Sequence, residues 1–121
     1  MKIKDLLVEY GSSNPFIGIV TNIDTQIREV EVAIHAGSSK IFTTSLKSQI
    51  GNLLKFLESG TKWVVPEPKL RSELHAALPE IIKHVQQAIS SLDNVNRAKE
   101  HLMTARKITV KRSHLTFGTI E

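Results

Sequence analysis

Lys111, Arg112 and His114 stand within four residues of one another, with Thr116 and Phe117 just beyond. An ammonium, a guanidinium fork and an imidazole so closely spaced suit recognition of a phosphate or another oxyanion. Arg97, Arg106 and Lys107 precede them. The chain has 16 Lys and Arg against 12 Asp and Glu, and residues 1–96 hold ten of each. The net charge of +4 therefore arises wholly in residues 97–121, where six cations meet two acids, Glu100 and Glu121. A localised excess of positive charge marks where an anionic partner is attracted, whereas a dispersed one speaks mainly to solubility. The candidate ligand-binding set is Arg97, Arg106, Lys107, Lys111, Arg112 and His114. Arg106 and Lys107 also have a local reason, as cations closing a predicted helix. Lys99 can pack its stem and extend its ammonium to water. Lys111, Arg112 and His114 have no such local reason.

Catalytic chemistry finds little to stand on. The chain has no cysteine, which removes disulfides, thiolate nucleophiles and Cys-based zinc sites. It has no Gly-x-Ser-x-Gly elbow, phosphate-binding loop, dinucleotide fingerprint or His-Glu-x-x-His. Of the five histidines, His35, His75, His84, His101 and His114, no two stand four residues apart. Glu80 and His84 lie one helical turn apart, the ordinary spacing of a solvated pair. Glu29 and Glu31 would lie about 7 Å apart on one strand face, which water on that face explains. The turns Gly11–Ser13 and Gly37–Ser39 offer backbone N–H groups to an anion, but read first as polar connections. No catalytic residue, metal site or cofactor is assigned, and the chain is predicted not to be an enzyme.

The elements that would position the basic end follow from periodicity. At 121 residues the chain is predicted to form a single domain over residues 1–121. Residues 2–10 show helical spacing. Phe16–Thr21, Arg28–His35 and Lys40–Ser45 read as three strands of a meander. The middle one alternates, with Val30, Val32 and Ile34 on one side and Glu29, Glu31, Ala33 and His35 on the other. Ile50, Leu53, Leu54 and Leu57 mark a helix over 47–58, capped by Ser45 or Ser48 and ended by Gly60. Thr61–Val65 reads as a short strand. From residue 69 to 105 the chain reads as helical, with a kink or restart at Pro79.

Leu78, Ile81, Val85, Ala88, Leu92, Val95, Lys99 and Leu102 step by 3 and 4, a heptad seam. One helix over 79–105 would be roughly 40 Å long, more than a domain of this size spans, so the seam is predicted to pair with a second copy. Leu78, Ile81, Val85, Leu92, Val95 and Leu102 are the candidate oligomer interface. The alternative is a hairpin broken at Ser90–Asn94, a run of weak helix formers. After Arg106 the period becomes two, with Ile108 and Val110 against Thr109 and Lys111. Leu115 and Phe117 take the opposite parity, so a returning strand would have to change face at Arg112–His114.

The predicted fold class is α+β: an antiparallel sheet of four to five strands, an N-terminal meander plus a returning C-terminal strand. A short helix and a long C-terminal helical region pack on it. In this coarse plan alone the chain resembles small phage proteins that sequester nucleotide immune signals. That resemblance implies a homo-oligomeric, non-enzymatic binder of a phosphate-bearing ligand, a nucleotide or cyclic nucleotide. Two other classes remain open. One is a nucleic-acid-binding module using the basic end, though exposed aromatics and a strongly basic recognition helix are both missing. The other is a protein–protein adaptor or inhibitor that meets an acidic partner. No apolar run reaches membrane-spanning length and the first residues lack a signal-peptide pattern, so a cytoplasmic location in the producing or host cell is expected.

Overall fold

The structure is a computed structural model and describes residues 14–37 and 40–113. Among these residues there is no strand: they form four helices, α1 (Pro15–His35), α2 (Lys40–Glu58), α3 (Pro68–Ser90) and α4 (Val95–Ser113). A 3-10 turn, Ser59–Lys62, follows α2. The helices α1 and α3 each pack against both α2 and α4, a four-helix arrangement with the core between them. The α+β expectation is therefore wrong, and each strand predicted within the described residues is helix or irregular chain. The predicted helix over 2–10 lies outside the described residues.

In α1 the side-chain oxygen of Asn14 accepts a hydrogen bond from the Phe16 N–H at 3.0 Å, and Pro15 occupies the first turn, where its missing N–H costs nothing. Phe16, Ile19, Ile23, Ile27, Val30 and Ala33 are buried, which is a helical stripe running through both predicted strands. Only Val30 of the alternating trio is in the core; Val32 is 53 % exposed and Ile34 half-buried. Gly37 ends the segment at φ 88°, a conformation that glycine adopts without strain.

The helix predicted over 47–58 is present but begins at Lys40, so Lys40–Ser45 is helical and neither Ser45 nor Ser48 is a cap. Leu46, Ile50, Leu53 and Leu57 supply its buried face. Gly60 lies buried inside the 3-10 turn that follows. Thr61–Val65 forms no strand: Trp63 turns back to stack on Phe56 at 4.9 Å, Val65 is buried and Val64 is exposed.

Glu67 caps α3 by accepting from the Leu70 N–H at 2.7 Å, with Pro68 in the first turn. Pro79 does not divide this helix. It lies on the exposed side with His75, where water can bond the carbonyl that the proline ring leaves without a donor. The break comes instead at Ser91–Asn94. The Asn94 N–H bonds the Ser91 carbonyl at 2.8 Å, and the Asn94 side chain accepts from the Arg97 N–H at 3.3 Å. The heptad seam thus folds back on itself. Leu78, Ile81, Val85 and Ala88 on α3, Leu92 in the turn, and Val95 and Leu102 on α4 are all buried within one chain. The seam is accounted for without a second copy, and no 40 Å helix exists to require one.

Among the described residues no returning strand follows Arg106, because α4 continues to Ser113. Its buried face is Val95, Ala98, Leu102, Ala105, Thr109 and Ser113, mostly small residues. Thr109 and Ser113 satisfy their hydroxyls on the carbonyls of Ala105 (2.7 Å) and Val110 (2.8 Å). Up to Ser113 no register change arises, since a helix has no two-residue period to reverse. Residues 114–121, including Leu115 and Phe117, lie outside the described residues.

Candidate functional site on the outer face of the last helix

The small buried face of α4 leaves its flanks lined by long cations, and these reach the neighbouring helices. Lys99 Nζ meets Glu31 Oε2 at 2.9 Å, and Arg106 Nε donates to Asp24 Oδ1 at 2.6 Å. Both acids are on α1. Glu31 and Asp24 are seven residues apart, as are Lys99 and Arg106, and each pair of numbers sums to 130. That constant sum is the signature of antiparallel helices stapled at a two-turn interval. On the other flank Arg112 Nη1 approaches Glu73 Oε1 of α3 at 3.4 Å. The Asp24–Arg106 pair is largely shielded, with side chains 16 % and 15 % exposed, whereas the other two are more open to water.

The predicted ligand-binding set is therefore divided. Arg106 and Arg112 face acids of other helices. Arg106 and Lys107 do not close a helix, because the last turn belongs to Lys111 and Arg112, which take the favourable interaction with the helix dipole instead. Arg97, Lys107 and Lys111 are exposed on α4 with no ion pair among the described residues. His114 lies outside the described residues. Glu29 and Glu31 share no strand face: both lie on α1, where Glu29 is exposed and Glu31 is held by Lys99. Residues Gly11–Ser13, Ser38 and Ser39 are outside the described residues as well.

The surface around these cations is open. One shallow depression lies on α4 itself, between Asn96, Lys99, Glu100, Met103 and Thr104. Another lies at the start of α3, between Glu67, Lys69, Leu70 and Glu73. Among the described residues no three His, Cys, Asp or Glu side chains gather as a metal-binding group.

One pairing escaped sequence reasoning. His84 of α3 and His101 of α4 face each other with ring centroids 6.0 Å apart. Their numbers sum to 185, as do those of Glu73 and Arg112, so the same antiparallel register places both pairs. A test for histidines four residues apart cannot find it; the signal becomes readable once the hairpin turn is known. His84 Nδ1 is buried without a hydrogen-bond partner. Burial first, then the neighbouring His101 and Lys83, lower the tendency of His84 to take a proton, against smaller opposing effects of Glu80 and Gln87.

Comparison with known protein families, curated proteins and solved structures finds no match to this chain. The resemblance to phage sequestering proteins depended on the sheet and the returning basic strand, and it falls with them.

Proposed function

We propose that this chain is a non-enzymatic binding module that docks an acidic protein segment along the outer face of α4. The observation that carries the reading is the division of the basic end. Once the cations that serve as staples are set aside, Arg97, Lys107 and Lys111 are exposed along one helix. Lys107 and Lys111 stand one turn apart, and Arg97 lies about 15 Å further along the axis at 1.5 Å per residue. Such spacing suits several carboxylates on an extended or helical partner. A nucleotide asks for convergent donors in a concavity, and the depression on α4 is shallow and includes Glu100. For nucleic acid, three phosphate contacts would give a log–log salt slope of only about −2.7.

Within this reading a cytoplasmic setting accords with the absence of cysteine, and among the described residues no helix is long and apolar enough to cross a membrane. The test is an amide NMR titration of the full chain with a glutamate-rich peptide, with a nucleoside triphosphate and with a single-stranded oligonucleotide. The peptide is expected to shift the amides of α4 saturably, and Lys107→Glu with Lys111→Glu to abolish the effect. Saturable shifts with the nucleotide alone would restore the phosphate-ligand reading. A salt slope near −4 with the oligonucleotide, about six phosphates of a single strand, would restore the nucleic-acid reading. No response at α4 to the peptide refutes the proposal.

A further inference from the structure

We propose that His84 and His101 form a two-imidazole clamp for a divalent transition-metal ion across the α3–α4 hairpin. The two rings belong to different helices and face each other at 6.0 Å between centroids. His84 lies seven residues before Ser91 and His101 seven residues after Asn94, so the register places both about 10 Å below the turn. An imidazole nitrogen binds zinc at about 2.0–2.1 Å, which puts the metal about 3.2 Å from each ring centre. Two rings on one ion then have centres about 5.2 Å apart at a tetrahedral angle and about 6.4 Å apart when opposed. The observed separation lies between these limits.

A second observation points to the same place. His84 Nδ1 is a buried nitrogen with no hydrogen-bond partner, and buried polar atoms in folded proteins nearly always have one. A metal ion would supply it. Metal binding uses the neutral imidazole and releases any proton the ring carries, so affinity falls as pH falls. Glu80, one turn before His84, is exposed and acts on its ring through charge; it favours a cation nearby. With no third ligand gathered among the described residues, water completes the coordination sphere. Imidazole ligands suit copper, nickel and zinc, with copper bound most tightly; magnesium and calcium prefer oxygen.

The experiment uses the full chain, stripped with a chelator and then given copper(II), nickel(II), zinc(II) or magnesium chloride. Melting temperature is expected to rise by about 5 °C at ten times the dissociation constant for the transition ions, copper at the lowest concentration, and not for magnesium. The copper(II) electron paramagnetic resonance spectrum should show coupling to two nitrogens. His84→Gln and His101→Gln should each remove the melting shift and leave one coupled nitrogen or none, while His75→Gln, at an exposed single histidine of α3, should retain both. Should His84→Gln fail to fold, the loss of a nitrogen in His101→Gln decides alone. A melting shift that survives both substitutions, or no shift in the parent chain, overturns the proposal.

Discussion

Replacing Asp24 with Ala removes the carboxylate that receives Arg106 Nε across the α1–α4 interface at 2.6 Å. The guanidinium then keeps its charge in a place where the side chain is only 15 % exposed. Breaking a fully buried pair by removing one partner costs about 3–5 kcal/mol, and an exposed pair contributes about 0.2–1 kcal/mol. With both side chains some five-sixths shielded, Asp24→Ala falls between the two, just below the buried range, at about 2–3 kcal/mol. At roughly 4 °C per kcal/mol for a chain of this length, the melting temperature falls by about 8–12 °C. Arg106→Met keeps the apolar stem and strands the carboxylate instead. The double variant strands neither, so its loss should fall short of the sum of the two singles by about 1–2 kcal/mol. Urea unfolding of the four proteins measures this coupling. Repeating it at high salt separates a shielded pair, whose coupling persists, from a solvated one, whose coupling is screened away. A single-variant loss below about 0.5 kcal/mol with no coupling would refute the staple.

Three further outcomes are expected. Gly60→Ala places a Cβ 2.9 Å from Leu78 Cδ1 and 3.2 Å from Cδ2, and because Leu78 is buried and cannot swing away, thermal unfolding should show a loss of about 1–2 kcal/mol. Adding Leu78→Ala opens the space, so the two losses should sum to less than additive. For pH, the His84 pKa is lower in the folded chain than its ordinary 6.5, so the unfolded chain binds more protons. Stability from this group is complete above about 6.5 and is lost as pH falls from there through the folded value. Metal-free denaturation curves from pH 8 to 5 should show that decline, and His84→Gln should flatten it. Lys107→Glu with Lys111→Glu should lower the melting temperature by about 4 °C at most, the effect of reversing the Lys111 charge at the helix C-terminus, because neither side chain has an ion-pair partner among the described residues to lose. A large drop would show these lysines to be structural.

The helix over 47–58 was legible because its apolar residues are large and unbroken at 3- and 4-residue steps. The first helix carries the same pattern from Phe16 to Ala33, but its short apolar runs and β-branched residues mimic strands when read in windows of six or eight residues. Val30, Val32 and Ile34 alternate by chance; helical packing buries the first and exposes the second. The far end of α4 was harder. Its core-facing positions there are Ala105, Thr109 and Ser113, so hydropathy shows no stripe and Ile108 and Val110 suggest a period of two. The division of the basic cluster was hidden for a related reason. Charge can be counted along the chain, but whether a cation is committed depends on acids 39 to 82 residues away.

By itself the sequence determined a cysteine-free chain of ordinary globular composition, the heptad spacing from Leu78 to Leu102, the weak helix formers at Ser90–Asn94 and the placement of all net charge after residue 96. These are properties of residues and their neighbours. Only the tertiary structure decided that the seam closes within one chain and that Arg106 and Arg112 hold helices together. It alone brought His84 level with His101. The reason is common to all three: each depends on the antiparallel register of α4 against α1 and α3. That register is set by packing small residues of α4 close to its neighbours, which no local period records.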